Sequence, residues 1–185
     1  VLQGNAELKR KHGAITSLSV VLVSKASRTG RLVAGGLSIP CAIGRTGRAA
    51  VKREGDGASP IGSFEILGGY FRSDRFAIRP RSALPLRPLR PDQGWCDDPG
   101  DRNYNRPVRL PYAAGHERMW REDGLYDLVL VLDCNLRPRS RQRGSAIFLH
   151  LARPNFEPTA GCVAIRRADM LALLARLVPG ATIRI

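Results

Sequence analysis

The apolar positions of this chain fall mostly in short stretches with the two-residue period of half-buried strands. Ile15, Leu18, Val20 and Leu22 predict a strand over 15–23, and after a turn at Ser27-Arg28-Thr29-Gly30 residues 31–34 and 37–43 continue a meander. Phe64–Leu67 follows a shaped, glycine-rich loop over 52–64. Tyr126–Leu132 (YDLVLVL) and Ala146–Leu151 (AIFLHL) are continuous apolar runs too short for helices, the mark of buried strands. Cys162–Ile165 is a shorter run of the same kind. Only Ala168–Leu177 carries helical spacing, with Met170, Leu171, Leu174 and Leu177 on one face. Pro179-Gly180 then ends the helix, and Thr182–Ile185 closes as a last strand. Residues 80–111 are punctuated by prolines from Pro80 to Pro111 and predict a long irregular segment packed by Trp95 and Tyr104. The pattern predicts a mainly β domain with one C-terminal helix and a long irregular loop.

Composition narrows this picture. At 185 residues the chain fits one domain over 14–185, preceded by a polar, basic, flexible lead-in over 1–13 that carries Lys9, Arg10 and Lys11. The net charge is +14, and most of the cations are arginines, which suit planar carboxylates and phosphates. An anionic partner follows: an acidic cell-wall polymer, an anionic membrane surface or nucleic acid. Nucleic-acid binding calls for basic residues interleaved with exposed aromatics. Here aromatics are 6% and the basic residues are scattered, which ranks that partner below the others. No apolar run approaches the ~20 residues of a membrane helix, so no stable membrane insertion is expected. No signal peptide is visible in the sequence given. The cysteines at 41, 96, 134 and 162 form no C-x-x-C pair, which argues against a zinc ribbon or a thioredoxin motif.

The stretch from His150 to Ile165 carries the chemistry. A histidine closes an apolar strand, a loop with Pro154 and Pro158 follows, and Thr159-Ala160-Gly161 delivers Cys162 at the start of a second apolar run. If the two strands are neighbours, imidazole and thiol meet on rigid elements, as nucleophilic catalysis requires. A nearby imidazolium would lower the thiol pKa from ~8.5 and give thiolate at neutral pH. Gly161 permits close approach of backbone to substrate, and the amides of Gly161 and Cys162 would face a developing oxyanion. With Cys162 as nucleophile, Cys41, Cys96 and Cys134 leave room for at most one internal disulfide. The segment 95–107 offers Trp95 as an aromatic platform, with Tyr104, Asn105 and Arg106 as substrate-binding candidates. Asp97 and Asp98 lack a nearby histidine for a metal site. His116 reads as structural, and Asn135 as a residue facing the same cleft.

Gly-Asp-Gly-x-Ser-Pro-x-Gly-x-Phe over 55–64, the strand histidine and Thr-x-Gly-Cys-Val over 159–163 together resemble the L,D-transpeptidase (YkuD-type) catalytic domain, from about Ser19 to the C-terminus. The resemblance implies a β-sandwich-like catalytic fold acting on peptidoglycan stem peptides in the periplasm or cell envelope. It implies a two-step acyl transfer with no metal or organic cofactor. Cys162 matches the nucleophile, His150 the base and Gly161 the residue before the nucleophile; a backbone carbonyl orients the histidine, here that of Leu151. Thr159 and Arg166, which flank the nucleophile, join the substrate-binding residues. The family's usual Ser/Thr-His-Gly-Cys has Ala160 in place of the histidine, its Arg two residues after the cysteine is Ala164, and the His-to-Cys spacing is shorter. These departures resemble a compact proteobacterial branch associated with linking L-Ala of one stem to diaminopimelate of another. Water resolving the same thioester would give a carboxypeptidase or endopeptidase, and a non-catalytic wall-binding domain is the third alternative.

Overall fold

The computed structural model describes residues 13–24 and 26–185, so all of the expected lead-in except Gly13 lies outside the described residues. Strands β1 (Ile15–Val21), β2 (Thr29–Ala34) and β3 (Leu37–Ala42) form the predicted antiparallel meander. Strands β4 (Arg48–Ala49) and β5 (Ser59–Pro60) make a small ladder within the glycine-rich region. Strand β6 (Ser63–Phe71) is followed by β7 (Leu86–Pro88), β8 (Gln93–Cys96), β9 (Arg106–Arg109) and β10 (His116–Arg118). The chain then forms β11 (Leu128–Leu132), β12 (Phe148–Leu151), β13 (Val163–Ile165), helix α1 (Arg167–Leu174) and β14 (Leu177–Arg184).

Among the described residues the fold is mainly β with a single α-helix, as expected. The large sheet runs β11-β12-β13-β3-β2-β1-β14-β6, and β6 pairs again with β11, so the sheet returns on itself around one core; β7 hangs on β6. Side-chain alternation divides each strand between two environments. Leu128, Leu130 and Leu132 point into the enclosed core, as do Leu149, Leu151, Val163 and Ile165. Val129, Val131, Phe148 and Cys162 point outward into a second apolar cluster with Trp95, Met119 and Tyr126. The sheet β10-β8-β9 supplies part of that cover. Burial on both faces is why YDLVLVL shows no polar alternation. Each fully buried Leu or Ile contributes roughly 1.5–3 kcal/mol.

Two expectations are corrected. The helix ends at Leu174 rather than Leu177, because Leu177 pairs with Ile15 and the Arg176 carbonyl accepts the Ile15 amide at 2.8 Å. The last strand therefore begins before Pro179-Gly180, which bulge out of it: the register jumps from Ile15–Leu177 to Ser17–Thr182. The segment 80–111 is loop for most of its length, as expected, with the short strands β7, β8 and β9 set into it. Its prolines Pro88 and Pro107 sit on edge strands, where a missing amide donor costs no ladder bond.

Candidate active site

Strands β12 and β13 are parallel neighbours with His150 opposite Ala164. Phe148 and His150 share the outward face with Cys162 and Ala164, and His150, Cys162 and Ala164 line a cleft of about 460 Å³. The two sequence motifs meet beneath it. Ser59 Oγ, fully buried, donates to the Gly161 carbonyl at 2.8 Å and accepts the Gly44 amide at 2.9 Å. Thr159 is held by Ile43 and Arg45: its amide donates to the Ile43 carbonyl at 2.9 Å and its carbonyl accepts the Arg45 amide at 2.8 Å. Asp56 accepts the Arg53 and Ala58 amides at 2.8 and 2.9 Å and pairs with Lys52, which shapes the loop that presents Ser59. Gly161 is required here: at φ 144° an added Cβ would lie 2.8 Å from the Ala58 carbonyl oxygen.

The nucleophile candidate is nearly closed off, at 7% exposure. Its Sγ donates to the Ala146 carbonyl at 3.2 Å and accepts the Phe148 amide at 3.3 Å. Burial pushes the Cys162 thiol up to about 12, with the Glu117 charge adding to the rise. His150 Nδ1 donates to the Leu151 carbonyl at 2.9 Å, which leaves Nε2 unprotonated in the neutral ring. Burial drives this imidazole down to about 4. The ring stands edge-on to Tyr126, with centroids 5.3 Å apart. Among the described residues no hydrogen bond joins imidazole to sulfur. The expected resting thiolate–imidazolium pair is thus replaced by neutral thiol and neutral imidazole, because both groups lie out of water. The expected pair of oxyanion amides is also reduced, since the Gly161 amide donates to Thr159 Oγ1 at 3.1 Å. Thr159 Oγ1 in turn donates to the Cys162 carbonyl at 2.7 Å and fixes the turn.

The cleft walls are charged. Arg45, Lys52, Arg121 and Arg153 line it together with Glu54, Asp97, Glu117 and Glu157. Tyr126 donates to Glu117 at 2.6 Å, and burial raises the Glu117 carboxyl. Burial and the Glu54 charge raise Asp97. Ser145 also lines the cleft, and its buried hydroxyl has no partner among the described residues. Sequence reading missed this wall because its members come from separate segments with no shared motif, although Lys52 and Glu54 sit in the glycine-rich loop, Asp97 in the 95–107 segment, and Arg153 and Glu157 between His150 and Cys162.

Of the remaining candidates, Thr159 lines the cleft. Trp95, Tyr104 and Asn105 do not: all three are buried beneath it. Trp95 stacks edge-on against Phe148 at 5.0 Å and donates to Asn105 Oδ1 at 2.9 Å. Asn105 also accepts the Ala146 amide at 3.1 Å, so it holds the residue whose carbonyl accepts the thiol. Tyr104 donates to Glu54 at 2.5 Å. Arg106 faces a separate hollow. Arg166 lies over the Phe156 ring at 5.0 Å, outside the cleft. Asn135 holds the turn after β11 through Ser140 and Gly144 rather than facing the cleft. His116 bonds the Ala114 carbonyl at 2.8 Å. All four cysteines are free and buried. Among the described residues no group of three His, Cys, Asp or Glu is placed to hold a metal.

The sequence model of the L,D-transpeptidase catalytic domain (YkuD) matches residues 19–185, nearly the whole chain. The chain belongs to the L,D-transpeptidase family. No curated protein and no solved structure matches it significantly. L,D-transpeptidase domains act on cell-wall peptidoglycan, and the family's enzymes are cysteine-dependent acyltransferases. No described helix of this L,D-transpeptidase domain is long and apolar enough to cross a membrane.

Proposed function

We propose that the chain crosslinks peptidoglycan stem peptides in the bacterial envelope, on the periplasmic side, through a thioester on Cys162. What supports this reading is that His150 on β12 and Cys162 at the entry to the parallel neighbour β13 line one cleft, with Nδ1 of the imidazole engaged and Nε2 open. A donor stem enters with its carboxylates on the cleft arginines, which suit forked carboxylate binding. His150 Nε2 takes the thiol proton as sulfur attacks the peptide carbonyl, so charge separates only when substrate has closed the site. The Cys162 amide receives the oxyanion, Thr159 having engaged that of Gly161. The imidazolium protonates the departing amine, and the thioester remains. An acceptor amine, held by the acidic wall of Glu54, Asp97 and Glu117, then attacks; His150 takes its proton, the C–S bond breaks and the thiol is restored. Ala160 and Ala164 leave space where the family has a histidine and an arginine, and cations from Arg45, Lys52, Arg121 and Arg153 take the place of that arginine.

The test is muropeptide mass analysis of sacculi incubated with wild type and with Cys162→Ala. New crosslinked dimers with wild type alone are the expected result, with fragmentation naming the linkage. Trimmed monomers alone would replace transfer by hydrolysis on the same cysteine, and no change in either sample would overturn the reading.

A further inference from the structure

Beside the cleft lies a second hollow of about 760 Å³. It opens on the same outer face of the closed sheet, since Val131 and Tyr70 in its lining belong to the outward cluster that holds Cys162. Trp95 and Asn105 line its far side, and Asn105 bonds the Ala146 amide in the cleft wall, so this pair partitions the two spaces. Three guanidiniums border the hollow: Arg87 on edge strand β7, Arg106 at the start of edge strand β9, and Arg137 beyond β11. All three residues are exposed, and among the described residues none of their side chains has an ion-pair or hydrogen-bond partner. Elsewhere Arg72, Arg75, Arg90 and Arg121 each hold a carboxylate. Like charges gathered round a concavity repel one another and attract an anion between them.

The rest of the lining selects among anions. Pro85, Pro107 and Leu136 are apolar, and Glu65 and Asp133 place two carboxylates in the same hollow. Asp133 is oriented by the Glu65 amide at 2.8 Å. Two acids disfavour a dense polyphosphate, whereas a ligand with sparse carboxylates, amides and a free amine matches both signs of charge. We propose that this hollow binds a second, non-reacting segment of the peptide-bearing wall polymer, its carboxylates forked by Arg87, Arg106 and Arg137, while the reacting stem occupies the Cys162 cleft. The proposal rests on the peptidoglycan reading above. Its effect is local concentration: a strand held in the hollow keeps neighbouring stems within reach of the thiol.

The test uses the full chain with Cys162→Ala, which binds without reacting, beside the same chain carrying Arg87→Ala and Arg137→Ala. These exposed side chains have no partner among the described residues, and an unchanged thermal melt verifies the fold. Binding to purified sacculi should weaken about tenfold in the arginine variant. With Cys162 intact, Arg87→Ala/Arg137→Ala should process a soluble disaccharide-tetrapeptide at the wild-type rate. Sacculus binding that is absent in the Cys162→Ala chain, or unchanged in the arginine variant, overturns the proposal. Equal loss on the soluble substrate also overturns it, as does displacement from sacculi by inorganic polyphosphate at lower concentration than by soluble stem peptide. Arginine-dependent binding without any muropeptide chemistry in wild type would leave this site standing and remove the catalytic reading instead.

Discussion

His150 and Cys162 are both held in their uncharged forms by burial, and this has consequences for stability as well as for chemistry. The folded imidazole titrates at about 4, against 6.5 for the ordinary group, so the unfolded chain binds more protons between those values. Stability is therefore lost as pH falls through that window, by on the order of 3 kcal/mol from this one ring. Urea denaturation at pH 7 and pH 4 measures it; His150→Gln should flatten the slope, and an unchanged slope would assign the acid sensitivity elsewhere. Cys162 works in the opposite sense: its folded pKa of about 12 exceeds the ordinary 9.0, so its contribution is lost as pH rises through that interval. Gly161→Ala should cost about 1–3 kcal/mol, because it forces a Cβ against the Ala58 carbonyl at a backbone angle that side chains rarely adopt. A thermal melt reads that loss, and a muropeptide assay should show activity reduced with it. At this scale the sequence was informative where a short motif carried the information. Cys162, Gly161, Thr159 and His150 all lie within one stretch and all line the cleft. Trp95, Tyr104 and Asn105 were legible only as a cluster; their burial beneath the cleft is something a linear sequence does not display.

Between elements, the decisive contact is Ser59, which ties β5 to the loop before β13 and to Gly44 after β3. Its hydroxyl gives one hydrogen bond and receives another, in full burial. Ser59→Ala leaves the Gly161 carbonyl and the Gly44 amide without that partner, a loss of about 2 kcal/mol or more. The expected readout is a lower melting temperature together with slower acyl-enzyme formation at Cys162, followed by intact mass. A melt that drops while acylation is unchanged would show that the clamp holds the fold but does not place the nucleophile. The strands themselves were largely legible, because alternation and short apolar runs follow directly from sheet geometry. The end of the chain was not: helical spacing ran on through Leu177, yet pairing with β1 outweighed local propensity and drew that residue into β14. The short strands within the proline-rich segment were hidden for a related reason. Proline excludes a residue from the middle of a sheet but not from its edge, and the sequence does not show which strands are edges.

For the molecule as a whole, charge and closure matter most. A net charge of +14 gives long-range attraction to an acidic polymer that salt screens, with a Debye length of about 8 Å at physiological ionic strength. Sacculus binding by the Cys162→Ala chain should weaken steadily between low and high salt, whereas its melting temperature should move little. Binding indifferent to salt would remove the basic surface from the account. Composition showed the sign of this charge but not its placement. Arg121 and Arg153 reach the cleft while Arg87 and Arg137 border the second hollow, an allocation made by topology alone.

The closure of the large sheet through β6 and β11 has one more consequence. A ring has no loose margin at which a second chain could be zipped on by backbone hydrogen bonds. The margins that remain among the described strands carry Pro88 on β7, Pro60 on β5, Pro107 on β9, and Glu117 and Arg118 on β10. Proline and charge at such margins blunt runaway intermolecular strand addition. A domain this rich in strands is thereby protected against aggregation through its own edges.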